Sequence, residues 1–540
     1  MLRALAARPP RALLFIALAA NLVPATLLFW FIGRYGIDVP QWDEWLSLPT
    51  LEGFAEGRLT LTTLLAQHNE HRPLFPRLIT LTNAMLFHWD RRVEMACTAF
   101  LLIACAVFFY LFARRYWNHP LTPVFILPVT WTILGWRQWE NLLWGFQTCF
   151  GLFVAGVVVS FVSLHRARGA GAPVATASIA AFVATFSLAG GLFLWPVGVA
   201  QLAIQRARRG VFAVWIGAGV LTSVVFFYRY RLVQAKWPTG VLYVLTNPVA
   251  AVRYLATLIG SPFTDRQPIA ELGGYAVAAL AVCALILLWR VRGEQLLPAA
   301  PLLSLLAFTA VALLANCDRR LAKGIEQATL SRYTTAALLG LIALYLLLVR
   351  LALTDRRRIV RLAPAALGLL MFLGTAVSIW PWRHDPPGRY EDFAIRLYGT
   401  RYADLVSSRI LAYLSPRSKL VPVEASFLRA HGYTLFHDAP PPEPPARSAG
   451  TSSACNVSLN QDDDAIEVAG WARDADRVWL SIDGHLDLPT RPVEARPDGF
   501  AASLRGSLLA PGDHTLELKL VDKEEKTYRT CGRLKFATSR

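Results

Sequence analysis

The sequence predicts a polytopic, mainly α-helical membrane bundle followed by a small all-β, sandwich-like domain, and three observations carry that prediction. Of 540 residues, 55% are hydrophobic and only 17% charged, and the mean hydropathy is +0.40. Runs nearly free of charge, such as 13–32, 100–112 and 338–349, match or approach the ~20 residues a helix needs to cross a hydrocarbon core. Beyond residue 450 the pattern changes to short alternating runs punctuated by turn signals. Backbone polar groups in lipid must be satisfied internally, so the long runs read as helices. The ~10-residue alternating segments of a membrane barrel do not occur before residue 450.

The net charge of +17 would suit a nucleic-acid partner, but its distribution argues otherwise. Arginines gather between apolar runs: Arg3, Arg8 and Arg11; Arg114 and Arg115; Arg166 and Arg168; Arg206, Arg208 and Arg209; Arg290 and Arg292; Arg356, Arg357, Arg358 and Arg361. They fall in every second loop, the bias that marks cytoplasmic loops. The basic excess is topological, so membrane lipid with anionic headgroups is the expected partner and nucleic acid is not. The first run closes on Phe29-Trp30-Phe31, an interfacial aromatic belt with no small-residue cleavage site. It reads as an uncleaved span in preference to a signal peptide, and either reading puts residue 35 onwards outside.

The predicted spans are 13–33, 94–113, 121–135, 142–164, 174–188, 192–205, 211–228, 272–289, 297–315, 333–350 and 362–380, about eleven in all. An odd number places the N-terminus in the cytoplasm and the C-terminus in the periplasm or its extracytoplasmic equivalent, across an inner or plasma membrane. The third, fifth and sixth spans are short or split by Gly190-Gly191 and Pro196, as tolerated where a helix lines a cavity. Two outside loops are long, 34–93 and 229–271. In the first, Leu48, Leu51, Phe54, Leu59, Leu61, Leu64 and Leu65 punctuate a polar sequence as in a helix lying in the membrane interface, and 248–259 shows the same pattern more weakly.

The membrane domain ends near 382. Residues 383–437 form an extracytoplasmic segment of mixed, roughly helical spacing, and the proline-rich stretch 438–451 reads as a stiff linker. In the β domain, 452–540, the predicted strands are Ala465–Ala472, 478–482, 500–504, 514–520 and 528–536, with turns at Asp483-Gly484, Asp498-Gly499 and Pro511-Gly512. Cys455 and Cys531 bracket this domain, and in an oxidising compartment a disulfide between them is expected. Cys97, Cys105, Cys149, Cys283 and Cys317 lie in or beside spans as small hydrophobes, and no CxxC occurs.

Four polar clusters interrupt the apolar pattern. Gln41-Trp42-Asp43-Glu44-Trp45 puts two adjacent carboxylates between tryptophans just beyond the first span. A carboxylate there could take a proton from an attacking hydroxyl; equally, this could be a solvated acidic turn between aromatic anchors. His68-Asn69-Glu70-His71-Arg72-Pro73 gathers ionisable groups before an apolar helix. If helical, it places His68, His71 and Arg72 on one face, although Pro73 biases Arg72 towards extended backbone. A site for phosphate and hydroxyls, an ion-pair cluster and a zinc site are its three readings, the last lacking standard ligand spacing. Trp136-Arg137-Gln138-Trp139-Glu140-Asn141 offers stacking rings and hydrogen bonders suited to a sugar, or an ordinary aromatic belt. Finally, Asp318, Arg319, Arg320, Lys323, Glu326, Arg332 and Tyr333 make a predicted outside loop basic, against the charge rule. Arginine forks hold phosphate in two places, so the loop fits an anionic lipid headgroup such as a polyprenyl phosphate; pairing with Glu326 and the acids of the first loop would also account for it.

The arrangement of a first span, a large external loop opening on Asp43-Glu44 and interfacial helices resembles the GT-C superfamily of integral-membrane glycosyltransferases. The Asp43-Glu44 pair is similar to the adjacent Asp-Glu of the protein O-mannosyltransferase branch. The resemblance covers the topology of residues 1–400 and implies a polyprenyl-phosphate-linked sugar donor, a glycan, lipid or protein acceptor, and transfer with inversion. Carried over, Asp43 is the base and Glu44 an acceptor-binding or structural partner, both in catalysis. The resemblance implies that the His68, His71 and Arg72 stretch and Arg332 face the donor phosphate; the basic loop adds Arg320 and Lys323 to that expectation, and Trp42, Glu70, Arg137, Glu140, Asn141 and Tyr333 are expected to contact substrate. The first loop has no Asp-x-Asp metal motif, so no metal ligand or cofactor is assigned and a divalent metal stays open. Two other classes share parts of the pattern. A lipid-linked-sugar flippase or transporter would carry its ionisable residues inside the helices, whereas here they lie in loops. A non-catalytic glycan-assembly scaffold would tolerate loss of Asp43.

Overall fold

The computed structural model describes residues 10–538 except 168–170, 234–236, 291–295, 356, 385–388, 439–446, 454, 462–464, 474, 476, 494–497 and 523–526. The chain is mostly helical, with a β-sheet region at the C-terminal end, and divides into two compact units. The first comprises the chain up to Gly36, Leu59–Thr80 and Arg92–Trp382; the second comprises Ile37–Arg58, Leu81–Arg91 and Arg383 onwards.

Among the described residues of the first unit, with Arg91 added, eight helices are long and apolar enough to cross a membrane: Arg11–Tyr35, Arg91–Trp117, Gly145–Arg166, Arg209–Phe227, Gln267–Arg290, Leu296–Lys323, Ser331–Thr354 and Arg358–Trp382. The other three expected spans appear as Thr122–Ile133, Gly171–Thr185 and Leu194–Ile204. At 1.5 Å per residue, 12 residues reach only ~18 Å, short of the ~30 Å hydrocarbon core. Pro123 opens the first of them and Pro128 sits within it, while a 3₁₀ turn over Ala189–Phe193 separates the other two.

Burial ranks the helices. Thr334–Thr354 is covered along almost its whole length and forms the centre of the bundle, whereas Arg11–Tyr35 and Gln267–Arg290 leave most of their apolar surface open. Close crossings use small residues, as expected where helices associate by packing rather than by escape from water. Ser160 Oγ donates to the Ala177 carbonyl at 3.0 Å. Gly260 and Gly274 lie so close to Ala270 and Ala256 of the facing helix that an added Cβ would strike backbone.

In the second unit, helices Arg389–Arg401, Ser408–Leu414 and Val421–Ala430 precede nine strands among the described residues. These are β1 (Arg447–Thr451), β2 (Cys455–Gln461), β3 (Ala465–Ala472), β4 (Arg477–Ile482), β5 (Leu486–Pro489), β6 (Arg491–Pro492), β7 (Gly499–Arg505), β8 (Gly512–Asp522) and β9 (Thr527–Thr538). They form a five-stranded sheet ordered β1-β9-β8-β4-β5 and a four-stranded sheet ordered β2-β3-β7-β6. The expected strands lie within β3, β4, β7, β8 and β9. The Asp483-Gly484 turn has both residues at positive φ, 52° and 75°, the backbone that Asp-Gly favours. The Asp483 carboxylate then accepts from Thr515 N–H at 2.8 Å and contacts His514 Nδ1 at 2.6 Å. Cys455 and Cys531 are disulfide-bonded, tying β2 to β9. The proline-rich part of the expected linker, 439–446, lies outside the described residues, and its last residues enter β1. The preceding segment is hydrogen-bonded into the sheet: Ser407 N–H donates to the Ser503 carbonyl at 3.2 Å and Arg505 N–H to that of Leu405 at 2.9 Å.

Glu424 of helix Val421–Ala430 is buried with its Oε2 unpartnered. Burial, then the negative charge of Glu52, push its carboxyl from 4.5 up to about 7, against the pull of Arg417. The folded unit therefore holds a proton that the unfolded chain releases at lower pH, so stability falls as pH rises from the unfolded value through about 7. Glu424→Gln removes this linkage. Thermal unfolding of the full chain in detergent is expected to show a higher midpoint for the variant than for the wild type above neutrality, and no gain at pH ~4, where the carboxyl is protonated in both states.

Candidate functional site

The Asp43-Glu44 pair sits in a 3₁₀ turn, Trp42–Ser47, of the second unit. Glu44 Oε2 accepts the Gln41 N–H at 2.6 Å, and the Gln41 side chain accepts a backbone N–H in return, a reciprocal capping box. Glu44 Oε1 is ion-paired with Arg91 Nη2, and both side chains are almost wholly buried. Arg91 is held in turn: its N–H donates to Asp38 Oδ1 at 2.8 Å and its guanidinium lies 4.6 Å from the centre of the Trp89 ring. Three non-glycine residues around the pair take left-handed backbone, Trp42 (φ 44°), His88 (φ 53°) and Trp89 (φ 57°), each costing on the order of 1–3 kcal/mol. Such conformations persist only where the surroundings over-determine them. Asn83 helps, its Nδ2 donating to the Asp90 carbonyl at 2.8 Å.

The two adjacent carboxylates therefore differ in kind. Glu44 is buried and neutralised by Arg91, which fits a positioning role. Asp43 stays half-exposed and Trp42 is exposed. Sequence reasoning missed Arg91 and Asp38; the run Trp89-Asp90-Arg91-Arg92 at the head of an apolar helix was the available signal.

In the first unit, 68–71 is a tight hairpin rather than a helix. His68 and His71 exchange both backbone hydrogen bonds, at 2.8 and 2.9 Å, and Asn69 takes φ 50°. The two imidazoles thus do not share a helical face with Arg72. His71 Nδ1 accepts the Ala189 N–H at 3.1 Å, and the His68 ring packs 5.3 Å from that of Phe146. Arg72 is buried and donates to the Leu65 and Tyr228 carbonyls at 2.8 and 2.5 Å, fastening two loops. Arg77 does likewise to Leu64 and Ala66. Among the described residues no group of three or more His, Cys, Asp or Glu is placed to hold a metal.

Glu70, at the hairpin tip, faces the basic stretch. Burial opposes its ionisation, but His71, its own backbone N–H, Arg319 and Arg320 outweigh that and hold the carboxyl below its ordinary value. Lys323 lies in the field of Arg320, Arg332 and Glu70. The Arg320 and Arg332 guanidiniums stand 5.4 and 5.1 Å from the centre of the Tyr333 ring. Gly324, at φ +106°, lets the chain turn between these cations, and the Glu326 carboxylate fills the space a Cβ would need. One turn thus brings Arg320 and Arg332 to one aromatic ring, with Lys323 in their field, while Arg319 acts with Arg320 on Glu70.

The 136–141 loop is wired into the same stretch. Arg137 is buried and donates to the carbonyls of Ser261, Thr264 and Thr329 at 2.9, 3.3 and 2.6 Å. Glu140, rather than Glu326 or a first-loop acid, is the ion-pair partner of Arg332: Nη1 to Oε1 is 2.7 Å, with Ser331 Oγ donating to Oε2 at 2.7 Å. Asn141 Nδ2 donates to the Arg332 carbonyl at 3.0 Å and to Thr335 Oγ1 at 2.7 Å. Arg137 and Asn141 act as struts, and Glu140 orients Arg332.

Breaking a buried ion pair from one side costs ~3–5 kcal/mol, because the remaining charge is left without a partner. Arg91→Met and Glu44→Gln are each expected to lower the denaturant midpoint of the full chain in detergent, and the double variant by much less than the sum. Strict additivity would show that the two side chains do not act as a pair.

No protein family matches this chain, and no curated protein matches it.

Proposed function

We propose that this chain is a GT-C-type membrane glycosyltransferase that moves a sugar from a polyprenyl-phosphate donor to an acceptor at the non-cytoplasmic face, with inversion. The observation that carries the reading is the unequal pair Asp43 and Glu44. One carboxylate is buried and neutralised by Arg91, and its neighbour keeps access to water. In the reaction the acceptor hydroxyl oxygen attacks the anomeric carbon and its proton passes to the Asp43 carboxylate. The carbon–oxygen bond to the donor phosphate breaks, and its electron pair leaves with the polyprenyl phosphate. Within the first unit, Arg319, Arg320 and Lys323, with Arg332 oriented by Glu140, gather positive charge of the kind a departing phosphate needs, a preorganised electrostatic contribution that dominates many transfers. Arg72, whose guanidinium nitrogens serve backbone carbonyls, acts here as a loop fastener.

The topology that goes with this reading has the three short helices as incomplete spans, about eleven crossings counted together, the N-terminus in the cytoplasm and the two-sheet region folded as a periplasmic β-sandwich. The alternating arginine loops and the disulfide support it.

The test is turnover by purified full-length protein supplied with a polyprenyl-phosphate sugar and a matched acceptor. Asp43→Asn keeps size and hydrogen bonding but cannot take the proton, so transfer is expected to fall by ~10²–10⁴ while donor still binds. Near-normal turnover by that variant removes the base assignment and brings forward the scaffold reading.

A further inference from the structure

The sequence places 229–271 in an outside loop with a weak interfacial pattern over 248–259, and from Trp237 to Val252 it contains no Asp, Glu, Lys or Arg. The structure folds this stretch into two short helices, Val241–Thr246 and Pro248–Gly260. One face is core. Tyr243, Ala251, Tyr254 and Leu258 pack against Leu313, Cys317 and Ala337. The other face is apolar as well and uncovered: Val241, Leu242, Leu245, Val249 and Val252 are each between 55% and 75% exposed. A helix that is hydrophobic all round is not stable against water, and a patch of this kind marks a buried or membrane-facing surface.

Two observations identify the occupant. Leu313, Cys317 and Ala337 belong to the long apolar helices Leu296–Lys323 and Ser331–Thr354, and Leu321 and Ala328 of the turn between them join the same cluster, so the pair packs where those two apolar helices end. Pro248–Gly260 is also locked against Gln267–Arg290 through the Gly260 and Gly274 crossings. Ile269 and Leu272, in the first turns of Gln267–Arg290, are exposed as well. Trp237, exposed at the start of the stretch, is the residue type that sits at a headgroup boundary.

We infer that Val241–Thr246 and the first half of Pro248–Gly260 are embedded in the lipid leaflet, with Val241, Leu242, Leu245, Val249 and Val252 against acyl chains. This holds whether or not the chain transfers sugars.

The test uses the full-length protein in bilayers of phosphatidylcholine and phosphatidylglycerol, with Cys97→Ser and Cys283→Ser to remove the accessible free thiols. A nitroxide is attached at Leu245→Cys or, in a second protein, at Val249→Cys. Both positions are exposed, so neither label displaces core packing. Collision with oxygen, which concentrates in hydrocarbon, is compared with collision with a water-soluble nickel chelate. Oxygen is expected to exceed nickel at both positions, the reverse of a Leu508→Cys control in the sheet region. Nickel access equal to the control would make the segment an aqueous loop and overturn the inference. Protection from both reagents would mean that protein, a partner helix or a second copy, covers the face, and would overturn it equally.

Discussion

Glu44 and Arg91 meet where water reaches neither side chain, and the geometry of the acidic turn depends on that meeting. An ion pair at such a site gives little net stability against an apolar replacement, but it is strongly directional and costly to break from one side. Around it the chain accepts left-handed backbone at Trp42, His88 and Trp89. The capping bond from Gln41 and the Asp38 acceptor for the Arg91 amide close the arrangement. The consequence for Asp43 is that its position along the turn is fixed by the pairing of its neighbour.

Arginine serves two purposes in the membrane unit, and the difference lies in what accepts the guanidinium protons. Arg72, Arg77 and Arg137 donate to backbone carbonyls of loops that would otherwise carry unsatisfied acceptors, so they are parts of the scaffold. Arg320 and Arg332 instead flank the Tyr333 ring, beside Arg319 and Lys323. Glu140 holds Arg332 through one oxygen and Ser331 through the other. Crowded cations of this kind repel one another, and an anion relieves that repulsion.

Much of the fold was legible because hydrophobic periodicity is a local property. The long apolar helices, the β-strand runs, the Asp483-Gly484 turn and the pairing of Cys455 with Cys531 follow from patterns within a few residues or from simple cysteine counting. The three short helices were flagged as short or as split by Gly190-Gly191 and Pro196, although how short they are was not evident from hydropathy alone. The site was less legible, because its contacts join distant positions. Arg91 is 47 residues from Glu44, and Arg332 is 192 from Glu140. Nothing in the residues around Glu140 marks it as the partner of Arg332. The 68–72 stretch shows the converse limit: histidines three apart fit a helix or a hairpin, and the left-handed backbone at Asn69 decides for the hairpin.

The claim that this chain adds a sugar at the outer face of a membrane has a direct chemical readout in the cells that make it. Mass spectrometry of cell-surface glycans, compared with and without the gene, is predicted to show the loss of a sugar residue of defined mass. The wild-type gene should restore it, and Asp43→Asn, present in the membrane at the same level, should not. Unchanged glycans after loss of the gene, or full restoration by Asp43→Asn, would contradict the account.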